Sequence, residues 1–217
     1  MVGKNPAGLH QITDLRQRVI GTISLTVLLI AIFQGEVLVA KALGFSSTAE
    51  MFKSLPTLSQ RLIAALLGPF IHQGPAHLIG NLGVLLLAGG YLEFQYGQRP
   101  FYVFFLVVGY LAAWVPLAMG FTGAVGASGV AFGLSMWLLV HSISKLLKMG
   151  WDTEIDRRIF HIVFVFYGLV KADAVLEDFQ AMNNTGDLTH VFGAMFGLVF
   201  GFWFVLRYHG HSPKNWI

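Results

Sequence analysis

Ser128 sits in the stretch Gly126-Ala127-Ser128-Gly129, at the end of a glycine-rich turn and the start of an apolar run, Val130 to Val140. Glycines at 120, 123 and 126 let the backbone bend sharply and approach a neighbour closely. A serine on such a bend exposes its hydroxyl, and the free N–H groups of the new helix start lie beside it. That combination suits a nucleophile with an oxyanion site. Small residues at a membrane-helix start also serve close packing, so the remaining polar residues must decide. His190 is a candidate base that could take the Ser128 proton and return it to a leaving amine; a histidine there could also be an interfacial residue bonded to loop backbone. His77 and Asn81 are four apart and share one helix face. Both can donate hydrogen bonds to an oxyanion. A metal would be the other use of imidazoles, but asparagine is a poor ligand and no carboxylate accompanies the pair, so no metal or other cofactor is expected.

These residues need elements to hold them, and the composition says which. Of 217 residues, 55% are hydrophobic and 12% charged, about half the charged share of a soluble domain. Apolar stretches near the ~20 residues that span a bilayer recur along the chain. An all-α membrane protein is expected, with the lipid bilayer as its environment. The chain has no cysteine, which excludes disulfides, thiolate metal sites and a cysteine nucleophile. A net charge of +3 calls for no nucleic-acid partner. Residues 1–18 are polar without a signal-peptide layout, so no cleaved leader is expected.

Six membrane helices are expected: Val19 to Leu43, Ala76 to Phe94, Phe101 to Met119, Ser128 to Leu147, Ile159 to Val175 and Asp187 to Arg207. A six-helix domain over 19–207 would then lie between a cytoplasmic segment 1–18 and a cytoplasmic tail 208–217. Ser46 to Leu67, interrupted at Pro56, reads as a loop able to hold short helices. Lys148 to Arg158 reads as a charged connector, and Glu177 to Gly186 as a polar loop. With both termini inside, ten Lys and Arg fall inside (Lys4, Arg16, Arg18, Arg99, Lys145, Lys148, Arg157, Arg158, Arg207, Lys214) against four outside (Lys41, Lys53, Arg61, Lys171). This topology gathers the N-terminal ends of helices two, four and six near the outer face, with His77, Asn81, Ser128 and His190 on them. Polar side chains at membrane depth are costly and point to function. Gly193, Gly197 and Gly201 form a smooth stripe, matched by Gly129 and Gly133 on helix four, which would let the two helices approach and bring His190 to Ser128. Glu36 is expected to face a loop or wet interior, His72 to fix a loop, and Asp187 to cap helix six. His10, His141, His161, His209 and His211 read as interfacial or terminal.

The ordered set His77-Leu78-Ile79-Gly80-Asn81, Gly89-Gly90-Tyr91-Leu92-Glu93 with Gly97, Gly126-Ala127-Ser128-Gly129, and His190 with Gly193 and Gly197 resembles the rhomboid intramembrane serine proteases over about Arg61 to Gly201. The resemblance implies a six-helix rhomboid-like bundle that cuts transmembrane protein substrates near the outer face. It implies a Ser128–His190 dyad without an aspartate, and an oxyanion site from His77, Asn81 and the Ser128 N–H. It also implies an outward-opening wet cavity with helix five as a lateral gate. The chain departs from the family at Gln60-Arg61, where Trp-Arg is common, and at Phe132, where a tyrosine usually stacks on the catalytic histidine; a phenyl ring keeps that stacking. A multi-pass protein of a prokaryotic plasma membrane is expected.

Other readings fit less well. A silent relative that binds membrane segments would tolerate loss of Ser128 or His190, and both are present. A transporter needs a polar path near the midplane, often with repeats, whereas these polar residues gather at one depth. A soluble Gly-x-Ser-x-Gly hydrolase is excluded by Val130 in the last position. Natural substrate and oligomeric state are not legible.

Overall fold

A bilayer offers no hydrogen bonds, so a chain this apolar must satisfy its backbone within itself, and helices do so. The computed structural model describes residues 19–121, 126–149, 154–181 and 184–207, and every regular element among them is helical. The first span, α1, is Ile20–Ala42. Two short helices follow, α2 at Thr48–Ser54 and α3 at Thr57–Leu67. The second span begins as α4, Pro75–Val84, passes through a π turn at Leu85–Gly89 and ends as α5, Gly90–Tyr96. The remaining spans are α6 (Gln98–Ala118), α7 (Ser128–Lys148), α8 (Ile155–Ala181) and α9 (Thr185–Arg207). Six helices are therefore long and apolar enough to cross a membrane. The expected flanking segments 1–18 and 208–217 lie outside the described residues, as do His10, His209, His211 and parts of the turns at 122–125, 150–153 and 182–183.

The fifth span differs most from expectation. It is 27 residues long and absorbs most of the charged connector's end and the first half of the polar loop expected at Glu177 to Gly186. At 1.5 Å per residue it is about 40 Å long, more than the ~30 Å hydrocarbon core. Turns beyond the core have no need of apolar side chains, so hydropathy misses them. Asp187 is not the cap of α9. Asn184 accepts from the Asp187 N–H at 3.1 Å and donates its Nδ2 to Asp187 Oδ1 at 2.9 Å. Asp187 thus closes a reciprocal capping pair from inside the first turn.

The bundle is organised around α7, the most buried span, with 67% of its apolar window inside the protein against 11% for α8. Trp137 on α7 stacks on Tyr96 at 5.3 Å and on Phe204 at 4.7 Å. The closest approach is between α7 and α9. A Cβ added to Gly193 would fall on the Gly129 backbone, and one added to Gly197 on that of Gly133. At Gly201 the added atom would lie 3.2 Å from Trp137 Cα. Gly129 is equally confined, with Ala112 Cβ of α6 at 2.6 Å from such an atom.

Both ends of α1 are tied by carboxylates. Glu93, fully buried, accepts from Gly21 N at 2.8 Å, Thr22 N at 2.7 Å and Thr22 Oγ1 at 2.7 Å, so it satisfies the helix start and its dipole. Glu36 accepts the His72 N–H at 3.1 Å, facing the loop before α4. The segment with Gln60-Arg61 is anchored by backbone carbonyls. Gln60 Nε2 donates to Leu55 O at 2.7 Å, Arg61 Nη2 to Gly120 O at 2.8 Å, and Trp114 Nε1 to Ala65 O at 2.7 Å.

Gly197→Val therefore drives a branched side chain into backbone that cannot shift without parting α7 from α9. Overpacking of this kind costs about 1–3 kcal/mol. A lower midpoint of thermal unfolding in detergent is expected; a variant that melts with the wild type would place the stripe on lipid.

Candidate active site

One cavity of about 310 Å³ opens between α4, α7, α8 and α9. Its walls include His77, Gly80 and Asn81 from α4, Ser128, Ala131, Phe132 and Ser135 from α7, Lys171 from α8 and His190 from α9. The residues expected at one depth on three separate helices thus meet in one recess.

Ser128 is the first residue of α7 and 7% exposed. The bend before it needs glycine twice over. Gly126 has φ +117, and a Cβ there would lie 2.5 Å from His77 Cε1. Its N–H donates to Gly68 O at 2.7 Å, tying the bend to the loop that leads into α4. The preceding Ala127 provides no side-chain cap, so the first-turn N–H groups of α7 stay available near the serine.

His72 holds this arrangement from behind. It is fully buried. Its Nδ1 lies 3.1 Å from Phe70 O, which can only accept, so Nδ1 carries the proton and Nε2 is the acceptor. Nε2 receives Asn81 Nδ2 at 3.2 Å and Ala127 N at 3.4 Å. One imidazole therefore joins the loop, α4 and the serine bend. His77, half-buried, meets the His72 ring edge to face at 5.4 Å. Asn81 keeps its second amide hydrogen beyond the bond to His72. Among the described residues no three His, Cys, Asp or Glu side chains converge as a metal site would require.

His190 stacks on Phe132, ring centroids 4.3 Å apart and planes 24° from parallel. Its Nδ1 lies 2.8 Å from Oδ2 of Asp178, on the last turn of α8. No sequence signal predicted this contact, because Asp178 was expected in a loop. Lys171 sits on the same side of α8 with Nζ 5.4 Å from the Phe132 centroid. Phe164, on the helix expected to form the lateral gate, packs on Tyr91 at 5.2 Å, so that part of α8 is closed against the second span. His141 and His161 are buried rather than interfacial. Tyr96 OH lies 2.6 Å from His141 Nδ1, and His161 Nδ1 lies 3.4 Å from Ser142 Oγ.

Six apolar spans among the described residues make this a multi-pass integral membrane protein. Residues 59–207 match the Rhomboid domain family, and the chain belongs to it. Uncharacterized proteins of Mycobacterium bovis and of two strains of Mycobacterium tuberculosis are each 28% identical to it over 155 residues, 66% of this chain. The chain spans about 60% of the length of those relatives.

Burial and the neighbouring His77 push the His72 imidazole down to about 4 from its usual 6.5. The unfolded chain binds that proton below about 6.5, whereas the folded chain does not until about 4. Stability should fall as pH drops from about 6.5 and level off below about 4. Thermal unfolding across this range should show a shallower acid slope for His72→Gln than for the wild type; equal slopes would remove His72 from the balance.

Proposed function

We propose that this chain is a serine endopeptidase that hydrolyses peptide bonds of transmembrane protein substrates within the membrane. The observation that carries this reading is the single cavity shared by Ser128, His190, His77 and Asn81, with the serine at an uncapped helix start.

Ser128 Oγ attacks the scissile carbonyl while His190 takes its proton as general base. Negative charge then develops on the carbonyl oxygen. The Ser128 N–H, the free amide hydrogen of Asn81 and the His77 ring are the donors for it. His190 returns the proton to the leaving amine, and a water molecule repeats the sequence on the acyl-enzyme. Phe132 holds the imidazole plane throughout. Gly126, Gly129, Gly193 and Gly197 act through packing, which sets the separation of the two helices.

A substrate helix cannot present a peptide bond whose carbonyl is bonded within the helix. It has to unwind, which glycine, proline and other weak helix formers near its end make easier. Entry is lateral, beside α8, the least buried span. The charge bias supports a site near the outer face with both termini in the cytoplasm, and the mycobacterial relatives favour a prokaryotic plasma membrane. Cleavage near the outer boundary, after a small side chain, would release an ectodomain.

A fluorophosphonate probe should label the wild type in detergent and leave Ser128→Ala unlabelled, and both Ser128→Ala and His190→Ala should lose cleavage of a single-span substrate. Labelling that survives loss of Ser128 would sink the assignment. Mass spectrometry of the products locates the cut, and a cut at the cytoplasmic end would overturn the orientation. Asn81→Ala should slow turnover about a hundredfold, the usual cost of one oxyanion donor. Unchanged rates in both Asn81→Ala and His77→Ala would leave α4 without a catalytic role.

A further inference from the structure

Stacking leaves one freedom to an imidazole. Phe132 fixes the plane of the His190 ring but not its rotation within that plane, and each rotation presents a different nitrogen to Ser128. The partner at Nδ1 removes that freedom. Asp178 Oδ2 lies 2.8 Å from it, donated by a different helix and twelve positions away in sequence. A carboxylate accepts, so Nδ1 carries the hydrogen and Nε2 is left as the basic nitrogen. His190 also lines the cavity that holds Ser128. The side chains of His190 and Asp178 are 25% and 23% exposed, so the pair is partly shielded from water. The other nearby carboxylate is engaged elsewhere: Asp187, on the same helix as His190, is bonded to Asn184.

We propose that Asp178 is a positioning residue for His190, holding the imidazole in the tautomer and rotation that direct Nε2 to Ser128. The inference rests on the protease reading above and adds a third side chain to the dyad implied by resemblance. During the reaction the Asp178 carboxylate keeps its charge. It stabilises the imidazolium formed when His190 takes the serine proton, and the proton stays on the ring until the amine leaves. Because Asp178 is carried by α8, the base is aligned when the last turn of α8 lies against the start of α9.

Steady-state cleavage of a single-span substrate by the full chain in detergent tests this, with Ser128→Ala as the reference for the protease reading. Asp178→Asn keeps the shape and removes the charge. It should lower kcat by about tenfold or more, given the roughly 10⁴-fold loss when the equivalent aspartate of a buried triad is amidated. KM should stay within about twofold, since substrate contacts are unchanged. The rate of fluorophosphonate labelling should fall with kcat, and Asp178→Glu should recover part of the loss. If Asp178→Asn keeps kcat within about twofold while Ser128→Ala is dead, the positioning role is overturned and the protease reading stands. A raised KM with unchanged kcat overturns it too, because the carboxylate would then act on substrate entry. Should the variant fail to fold, ¹⁵N NMR of His190 in the wild type, at a pH where the ring is neutral, reads the same point independently of activity. A protonated Nδ1 with a bare Nε2 supports the inference, and the reverse tautomer overturns it.

Discussion

The backbone contact between α7 and α9 is the constraint on which the rest of the structure depends. Gly193 and Gly197 have no room for a single added carbon before they meet the backbone of Gly129 and Gly133. In a bilayer the lipid tails are as apolar as leucine, so helices gain little by hiding greasy side chains from lipid. They gain by close contact, and close contact requires small residues. Glycine is a poor helix former in water; here its missing side chain is what brings two helix backbones together. The start of α7 carries Ser128 and the start of α9 carries His190, so the spacing of a packing stripe also sets the spacing of the two residues of the proposed dyad.

Around that pair the structure builds support from unrelated parts of the chain. His72 comes from the loop before α4 and joins Asn81 to the bend that precedes Ser128. Glu36 of α1 holds the backbone of His72 in turn. Gly126 is pressed against His77. The result is a layered arrangement in which α1, remote from the cavity, still bears on the donor helix through one loop. Catalytic geometry of the proposed kind tolerates little misplacement, and each of these contacts removes a freedom that a loop residue would otherwise keep.

The spans divide by burial as well. α7 is the most buried span, while α8 has most of its apolar surface facing outward. Its far half is held by Phe160 and Phe164 against Tyr91. Near the cavity the contacts include polar ones: Ser135 with Tyr167 at 3.3 Å, Lys171 over Phe132, and Asp178 with His190. Polar contacts near the membrane surface exchange with water at lower cost than buried apolar ones. The span proposed as the entry side is therefore also the one that touches the proposed base.

Much of this was legible in the residues alone. Six spans follow from hydropathy because a bilayer leaves helices as the way to satisfy so apolar a backbone. The helix-packing stripe follows from glycines four apart, and the gathering of Ser128, His190, His77 and Asn81 follows from an alternating topology that stacks helix starts at one end. These are local or periodic signals, and a linear sequence carries them. What the tertiary structure decided are the pairings between residues that no period connects. Hydropathy ends α8 where the lipid ends, but its hydrogen bonds continue to Ala181, and only there does Asp178 come within 2.8 Å of His190. Asn184 rather than Asp187 caps α9 because the helix begins three residues earlier than the pattern of polar residues suggests. His72, expected to fix a loop, also bonds Asn81 and the bend before Ser128, and His141, expected at the interface or a terminus, is buried and bonded to Tyr96. A side chain's type states which bonds it can make; which partner it finds is set by how the helices pack.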